Sequence, residues 1–160
     1  MPGWCVGKPV PSDLYSQVVA GTLADYRVKV NGRDYAFKPE KGYCAITREW
    51  KAGDVVEIAM NMPVRRITAN EKVWLDRGYS AVERGPLVYC AEAVDNGGKA
   101  FFTVLPVGAT FTEGEIEIAS TKMVSLKGGG LTLVPYFAWC HRGAGEMQTW
   151  FAESPDKLRK

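Results

Sequence analysis

The residues whose type and spacing could support chemistry are three carboxylates around one apolar segment. Glu83, Glu92 and Asp95 flank the segment 84–91, and side chains at even spacing along a strand share a face. Two carboxyl groups held close together can act as acid and nucleophile, or as acid and base, in glycosidic bond hydrolysis. The chain contains 18 Asp and Glu residues, so such a spacing also arises by chance. A structural role is therefore the favoured interpretation.

His141 is the only histidine of the sequence and the other candidate for acid–base catalysis. No nearby carboxylate is evident that would orient its ring, so an ordinary hydrogen bond in a loop or at a strand end is favoured. Cys140 and His141 do not suit a nucleophile–base pair, because neighbouring side chains on a strand point to opposite faces. Arg84, beside the turn Gly85–Pro86, is expected to tie that turn to a carboxylate.

The cysteines give no sign of a metal site. They stand singly at Cys5, Cys44, Cys90 and Cys140, with no CxxC pair, so no structural zinc is predicted. The last three lie in apolar strand-like runs, where reduced buried thiols are the favoured interpretation. A disulfide between strands stays open as the alternative.

Charge and hydropathy exclude several partner classes. The net charge is +2 with interspersed signs, which gives no argument for a nucleic-acid or anionic-membrane partner. No apolar run approaches the roughly 18 residues of a membrane-spanning helix. Arg65, Arg66 and Lys72 are expected to form a solvated face. No secretory signal is visible at residues 1–4, and the compartment is left undetermined.

The sequence pattern around these residues predicts short strands. Tyr26, Val28 and Val30 alternate with polar residues, and Asn31–Gly32 predicts a type I′ hairpin turn. A helix is suggested only over 12–20. Pro135 predicts an edge position or a bulge. The other predicted strands are 34–37, 42–48, 55–60, 63–67, 72–75, 79–83, 87–93, 100–105, 115–119, 122–126, 131–138 and 146–152.

This pattern predicts an all-β fold with little helix, built as one or two antiparallel β-sandwiches. The 17 glycines and 9 prolines are enough to punctuate about a dozen short strands. The segment 87–91 is apolar on both faces, which predicts a strand that is covered on both sides. No internal repeat of fixed period is visible.

An ordered set of motifs extends over most of the chain and resembles the C-terminal β region of glycoside hydrolase family 127, the β-L-arabinofuranosidase family. Single motifs such as Asn-Gly are not specific, whereas the ordered set is. Its members are Pro2-Gly3-Trp4, residues 28–32, Gly42-Tyr43 with 48–54, residues 84–89 with Glu92 and Asp95, Pro135-Tyr136 with Trp139, Arg142-Gly143, and Met147 with Trp150.

The resemblance implies that the chemistry lies outside this chain. In that family a helical (α/α) barrel carries a cysteine nucleophile within a zinc cluster of cysteines and a glutamate, and a second glutamate is the acid/base. Two β-sandwiches follow. Nothing here matches the adjacent cysteine pair or the glutamate-any-cysteine spacing, so no catalytic residue, metal ligand or cofactor is assigned. The chain alone is expected not to be an enzyme.

The resemblance also implies a domain division and partners. Residues 1–66 are expected to be the end of a first sandwich and 67–157 a second, with 158–160 as a tail. The chain reads as a fragment with an open sheet edge through which it could self-associate. The expected partner is the catalytic barrel, and the alternative is a carbohydrate-binding module for arabinan or pectic sugars using exposed aromatics. Candidate contact residues are Trp50, Arg84, Tyr89, Trp139, His141 and Arg142.

Overall fold

The computed structural model describes residues 13–17, 26–38, 40 and 43–158. Strands dominate this part of the chain, and its helical elements are all single 3-10 turns. The predicted all-β, antiparallel fold class is confirmed. The strands are β1 (Tyr15–Gln17), β2 (Tyr26–Val30), β3 (Arg33–Asp34), β4 (Val56–Met60), β5 (Val64–Ala69), β6 (Tyr79–Arg84), β7 (Leu87–Glu92), β8 (Thr112–Ile118), β9 (Thr121–Gly128), β10 (Leu131–Pro135), β11 (Met147–Gln148) and β12 (Phe151–Ala152). The 3-10 turns are Trp74–Asp76, Ala93–Asp95, Tyr136–Ala138 and Pro155–Lys157.

Two sheets contain all of these strands. The larger has nine strands, seven of them in the order β1-β5-β6-β7-β10-β9-β8. The remaining two, β11 and β12, pair with β7 and β6 respectively. The smaller sheet has the order β3-β2-β4. None of the helical turns in the described ranges is long and apolar enough to cross a membrane.

The hairpin of β6 and β7 organises the larger sheet. Its turn needs a residue with positive φ, and Gly85 supplies it at +54°. A Cβ at this position would lie 2.9 Å from the side chain of Met62, so the turn also packs closely on the preceding segment. The predicted launch of a strand from Gly85–Pro86 is confirmed by β7.

The segment that contains β11 and β12 is inserted where the two hairpin strands diverge. Near the turn β6 and β7 pair directly, as in Val82 opposite Tyr89. Farther from the turn, Ser80 of β6 pairs instead with Phe151, and Ala91 of β7 pairs with Gln148. Because the other edges of β6 and β7 are taken by β5 and β10, this segment fills the gap between them.

Each face of the larger sheet carries an apolar cluster. On one face Tyr89 and Ala91 pack with Leu105 of the 93–111 connection and with Phe151. On the other face Cys90 packs with Ile118, Val134 and Ala138. The prediction that β7 is covered on both sides is therefore confirmed.

Two adjacent arginines on β5 are buried. Arg65 and Arg66 are only 7% and 5% exposed, with Arg65 bound to the β6–β7 turn and Arg66 bound to the 105–106 segment. Arg65 donates to the carbonyl oxygen of Gly85 at 2.5 Å and to Glu83 Oε2 at 3.2 Å. The prediction that Arg65 and Arg66 belong to a solvated face was wrong, because each guanidinium is buried against protein oxygen atoms that accept its hydrogen bonds.

Arg66 ties the 105–106 segment to the sheet. Its guanidinium donates to Ser80 Oγ and to the carbonyl oxygens of Pro106 and Leu105, the last at 2.9 Å. We expect Arg66→Met to lower the free energy of unfolding by about 2–4 kcal/mol, because three oxygen atoms lose their donor at once. Urea unfolding measures this loss. Arg77→Met is the control, since within the described residues the exposed Arg77 side chain donates only to the carbonyl oxygen of Glu71. An equal loss in both variants would contradict the assignment.

The hairpin predicted at Asn31–Gly32 is confirmed, and Asp54 stabilises it. Asn31 and Gly32 have φ values of 51° and 76°, as a type I′ turn requires. The Asn31 amide donates to Asp54 Oδ1 at 2.7 Å, and the Lys51 backbone N–H donates to Asp54 Oδ2 at 2.8 Å. These bonds, with the charge of Arg48, hold the pKa of Asp54 below its ordinary value of 3.8.

A depressed carboxyl pKa stabilises the fold at neutral pH and loses that effect in acid. The contribution of Asp54 is complete above its unfolded pKa of 3.8 and disappears as pH falls through the lower folded value. We therefore expect Asp54→Ala to lower the Tm at about pH 7 and to leave a much smaller difference at about pH 2. Thermal melts at both pH values, with Asp34→Ala to report general acid destabilisation, measure this. A Tm difference independent of pH would contradict the assignment.

Several predicted elements differ from the structure. The segment suggested as helical contains β1, because Tyr15 pairs with Ala69 of β5, while residues 12 and 18–20 lie outside the described residues. β10 is a central strand rather than an edge, because β7 and β9 pair with its two sides. Pro135 ends it at a point where β7 pairs with the strand and β9 does not. The predicted strand 72–75 contains a 3-10 turn at Trp74–Asp76, 100–105 has a single bridge at Val104, and 43–48 has no strand.

Some predictions lie outside the described residues, namely the Pro2-Gly3-Trp4 motif, Cys5, Gly42 and positions 159–160 of the tail. The division into domains stays a prediction. β5 runs continuously through position 66, and β1, from the preceding part of the chain, pairs with it in the same sheet.

Candidate functional site

Arg142 binds two of the three carboxylates singled out from the sequence. It donates to Asp95 Oδ1 at 2.8 Å, to Asp95 Oδ2 at 2.5 Å and to Glu92 Oε2 at 2.5 Å. Glu92 ends β7, and the 3-10 turn Ala93–Asp95 that follows it brings Asp95 to the same side. We call these three residues the arginine clamp.

In the arginine clamp one guanidinium is hydrogen-bonded to both carboxylates. Hydrogen bonds to Asp95 and to Glu92 raise the pKa of Arg142 above its ordinary range, so it stays a cation. Glu92 is 5% exposed, and its Oε1 accepts the backbone N–H of Cys140 at 3.1 Å. Both oxygens of the Glu92 carboxylate are therefore occupied, one by a guanidinium and one by a backbone amide.

Glu83, the third carboxylate, is also paired with an arginine. Its Oε2 accepts from Arg65, while burial raises the pKa of Glu83 and Arg65 opposes that rise. It lies on β6, apart from the arginine clamp. The structure therefore gives each of the three carboxylates an arginine partner.

The arginine clamp anchors a surface turn over 136–139, which we call the aromatic turn. The rings of Tyr136 and Trp139 stack with centroids 6.0 Å apart and planes at 19°, and both residues remain partly exposed. The bond from Cys140 N–H to Glu92 fixes the end of this turn. His141 lies there too, with Nδ1 at 3.1 Å from the carbonyl oxygen of Ala138, which is the ordinary hydrogen bond expected for it. Three predicted contact residues, Trp139, His141 and Arg142, are thus adjacent.

The other three predicted contact residues lie elsewhere. Arg84 makes a two-pronged bond to Glu113 of β8, at 2.8 and 2.9 Å, as expected for an arginine that ties down the turn. Trp50 is exposed, with the guanidinium carbon of Arg48 5.2 Å from its ring centroid.

Tyr89 requires a correction. It is fully buried in the first apolar cluster, and its hydroxyl donates to the carbonyl oxygen of Val124 at 3.0 Å. Its position on a covered central strand prevents direct contact with a sugar or a docked domain. Tyr89 is therefore a core residue.

The structure locates an exposed apolar patch for which the sequence analysis named no residues. Phe101 and Phe102 are 52% and 65% exposed, and they line a groove of about 360 Å³ together with Asp76. Asp76 belongs to the 3-10 turn that also carries exposed Trp74 and Leu75. We call Trp74, Leu75, Phe101 and Phe102 the aromatic patch. The sequence does contain one sign of this patch, the adjacent Phe101 and Phe102. Neighbouring side chains on a strand point to opposite faces, so the two rings cannot both be buried on one face.

The thiols give no reactive centre within the described residues. Burial raises the pKa of Cys90 to about 12, so it is protonated at neutral pH. Cys44 and Cys140 are free, the former half-buried and the latter exposed in a turn, so the prediction of buried thiols holds only for Cys90. The described part of the chain contains no group of three or more His, Cys, Asp or Glu residues that could hold a metal ion.

Two family models cover almost the whole sequence. Residues 64–152 match the glycoside hydrolase family 127 C-terminal domain, and residues 1–62 match the β-L-arabinofuranosidase, GH127 middle domain. The chain belongs to glycoside hydrolase family 127. The resemblance read from the ordered motifs is thereby confirmed.

Curated and solved relatives agree with this assignment. The family 127 chain is 31% identical, over 156 residues, to a non-reducing end β-L-arabinofuranosidase of Bifidobacterium longum subsp. longum, a match that covers 78% of this chain. A solved GH127 β-arabinofuranosidase matches 99% of the chain with a TM-score of 0.85 and 35% identity. A GH127 β-L-arabinofuranosidase from Geobacillus stearothermophilus T6 matches 81% with a TM-score of 0.64 and 30% identity.

The family 127 chain spans about a quarter of the length of these relatives. It covers 23% of the Bifidobacterium protein and 28% and 25% of the two solved chains. The arginine clamp and the aromatic patch both lie within residues 64–152, the part that matches the C-terminal domain.

Proposed function

We propose that this chain is a non-catalytic accessory region of a family 127 glycoside hydrolase that supports a separate catalytic (α/α) barrel. The observation that carries the proposal is the state of the three candidate carboxylates, Glu83, Glu92 and Asp95. Each is bound to an arginine, and none is arranged as a pair across an open cleft. The parent enzyme would act on arabinofuranosides, as the names of the relatives state for those proteins. We assign zinc chemistry to the barrel and no cofactor to this chain.

The aromatic patch is the surface that we propose contacts the barrel. Four large apolar side chains at least half exposed are costly to leave in water, and such a patch is typical of an interaction surface. Phe102 has a φ of +60°, a left-handed conformation that a bulky residue adopts at a cost of about 1–3 kcal/mol. A strained backbone that displays an exposed aromatic ring favours a role in contact over a role in stability.

We expect Phe102→Gly to stabilise the isolated chain by about 1 kcal/mol, because glycine adopts positive φ without strain. The same change should weaken association with the barrel, because the aromatic ring is lost. Phe102→Ala is the matched control, since it removes the ring and keeps the strain. Urea unfolding of both variants measures the first effect. Equal stability of the two variants would contradict the strain.

Association is tested by mixing the chain with the separately produced catalytic barrel of the parent enzyme. Calorimetry should detect binding by the wild-type chain, and both Phe102 variants should bind more weakly. The barrel should also melt at a higher temperature when the chain is present. No binding and no shift in the barrel's melting temperature would contradict the accessory role.

Self-association through the smaller sheet stays a prediction. Within the described residues β4 pairs only with β2, and its Val56, Ile58 and Met60 side chains are exposed. An apolar strand with one unpaired edge is a template for pairing with another chain.

A further inference from the structure

A groove of about 380 Å³ opens on one face of the larger sheet, opposite the face that carries Tyr89 and Phe151. Its floor is formed by Ile67, Ala81 and Val88, which come from the neighbouring strands β5, β6 and β7. Ile67 lies directly opposite Ala81 in the sheet register. The floor is therefore a flat apolar surface three strands wide.

Aromatic rings stand beside this floor. Tyr15 and Trp150 contact each other with centroids 5.9 Å apart and planes at 31°, and both line the groove. Tyr136 lines it too, and its other side is supported by stacking on Trp139. Because the arginine clamp anchors the turn that carries Tyr136, this ring is held in place before any ligand arrives.

The polar groups of the groove are few and carry no net charge. Among the described residues, Glu83 is the only charged residue that lines the groove, and Arg65 compensates that charge through the 3.2 Å contact. The carboxylate is 20% exposed and keeps acceptor capacity beyond the bond to Arg65. The hydroxyl of Thr149 belongs to the same lining. This chemistry suits an uncharged ligand that offers hydroxyl groups, and it disfavours an anion, which would face Glu83.

We propose that this groove binds one or two rings of a neutral saccharide. The apolar C–H face of a sugar ring would pack on Trp150 and Tyr136, while its hydroxyl groups would donate to Glu83. Apolar walls with a few placed polar groups are typical of small-molecule sites. A purely apolar peptide would leave the remaining acceptor capacity of the Glu83 carboxylate unused. The inference goes beyond the accessory role and does not depend on it.

The test is a ligand-observed NMR titration of the whole chain with three oligosaccharides. The probes are a neutral arabino-oligosaccharide, a neutral galacto-oligosaccharide and an oligogalacturonate, the last being anionic. We expect saturable binding of at least one neutral probe, with a Kd at least tenfold lower than that of oligogalacturonate. The absence of saturable binding by either neutral probe would overturn the proposal. This titration contains no barrel, so its outcome is separate from that of the association experiment.

Substitutions locate the site. Trp150→Ala and Tyr136→Ala should each raise the Kd for the neutral probe at least tenfold. Tyr43→Ala should leave it unchanged, since Tyr43 is exposed outside the groove. Glu83→Gln should reduce the discrimination against oligogalacturonate, an effect that a merely structural role of Glu83 would not produce. Binding that survives both Trp150→Ala and Tyr136→Ala in folded protein would place the ligand elsewhere and overturn the assignment.

Discussion

Replacing Arg142 with leucine is expected to lower the free energy of unfolding by about 3–5 kcal/mol, because it leaves two carboxylates without their cation in a poorly solvated position. Glu92 has only 6% of its side chain exposed and Asp95 only 15%. Both would lose charge-assisted hydrogen bonds of 2.5 to 2.8 Å. Urea unfolding followed by tryptophan fluorescence measures the loss.

The matched control is Arg84→Leu. Arg84 also makes a two-pronged bond, but its partner Glu113 has 47% of its side chain exposed. Exposed ion pairs contribute about 0–1 kcal/mol, so the control should cost far less. Adding Glu92→Gln and Asp95→Asn to Arg142→Leu should recover part of the stability, because the unpaired charges are removed. Equal losses for Arg142 and Arg84 would show that the clamp is not a buried ion-pair cluster.

Phe151→Ala is expected to cost about 3–5 kcal/mol, the range for truncating a buried phenylalanine. Phe151 is fully buried in the first apolar cluster, where it packs among residues of several strands. It belongs to β12, whose register with β6 covers only two pairs of residues. Because so few ladder bonds hold this segment between β6 and β7, the side chain provides much of its attachment.

Unfolding in urea measures that loss, and amide hydrogen exchange shows where the fold opens. We expect faster exchange at Ser80 and Ala91, which pair with the inserted segment, before the rest of the sheet is affected. Phe137→Ala is the control, because Phe137 is 60% exposed and should change stability by less than about 0.5 kcal/mol. A loss of similar size in the control, or uniform exchange over the sheet, would contradict the role of the inserted segment.

The parts of the fold that sequence alone predicted are those with local chemical causes. Asn31–Gly32 and Gly85 mark turns because their backbone conformations are nearly specific to those residue types. β7 was predicted as a strand covered on both sides because the five consecutive residues 87–91 are apolar on both faces. The failures are long-range. β1 exists because Tyr15 meets Ala69, and no window of a few residues contains that information.

The candidate site was predicted in its members but not in its arrangement. Arg142, Glu92 and Asp95 all stand in the family motifs, yet Arg142 lies 50 and 47 positions from its two partners. Only the sheet, with the aromatic turn following β10, brings them together. The prediction of Tyr89 as a contact residue was wrong because the local sequence around an aromatic residue on a strand does not show which face is covered. For Arg65 and Arg66 the error was the reverse, because residues predicted to face solvent are buried.

The non-catalytic role is best tested by an activity assay of this chain by itself on an aryl β-L-arabinofuranoside, with and without added zinc. We expect no release of the aryl group above the buffer rate in either condition, and release only when the parent's catalytic barrel is present. The non-catalytic role would be contradicted by turnover that co-purifies with the isolated chain and is abolished by Glu83→Gln or Glu92→Gln.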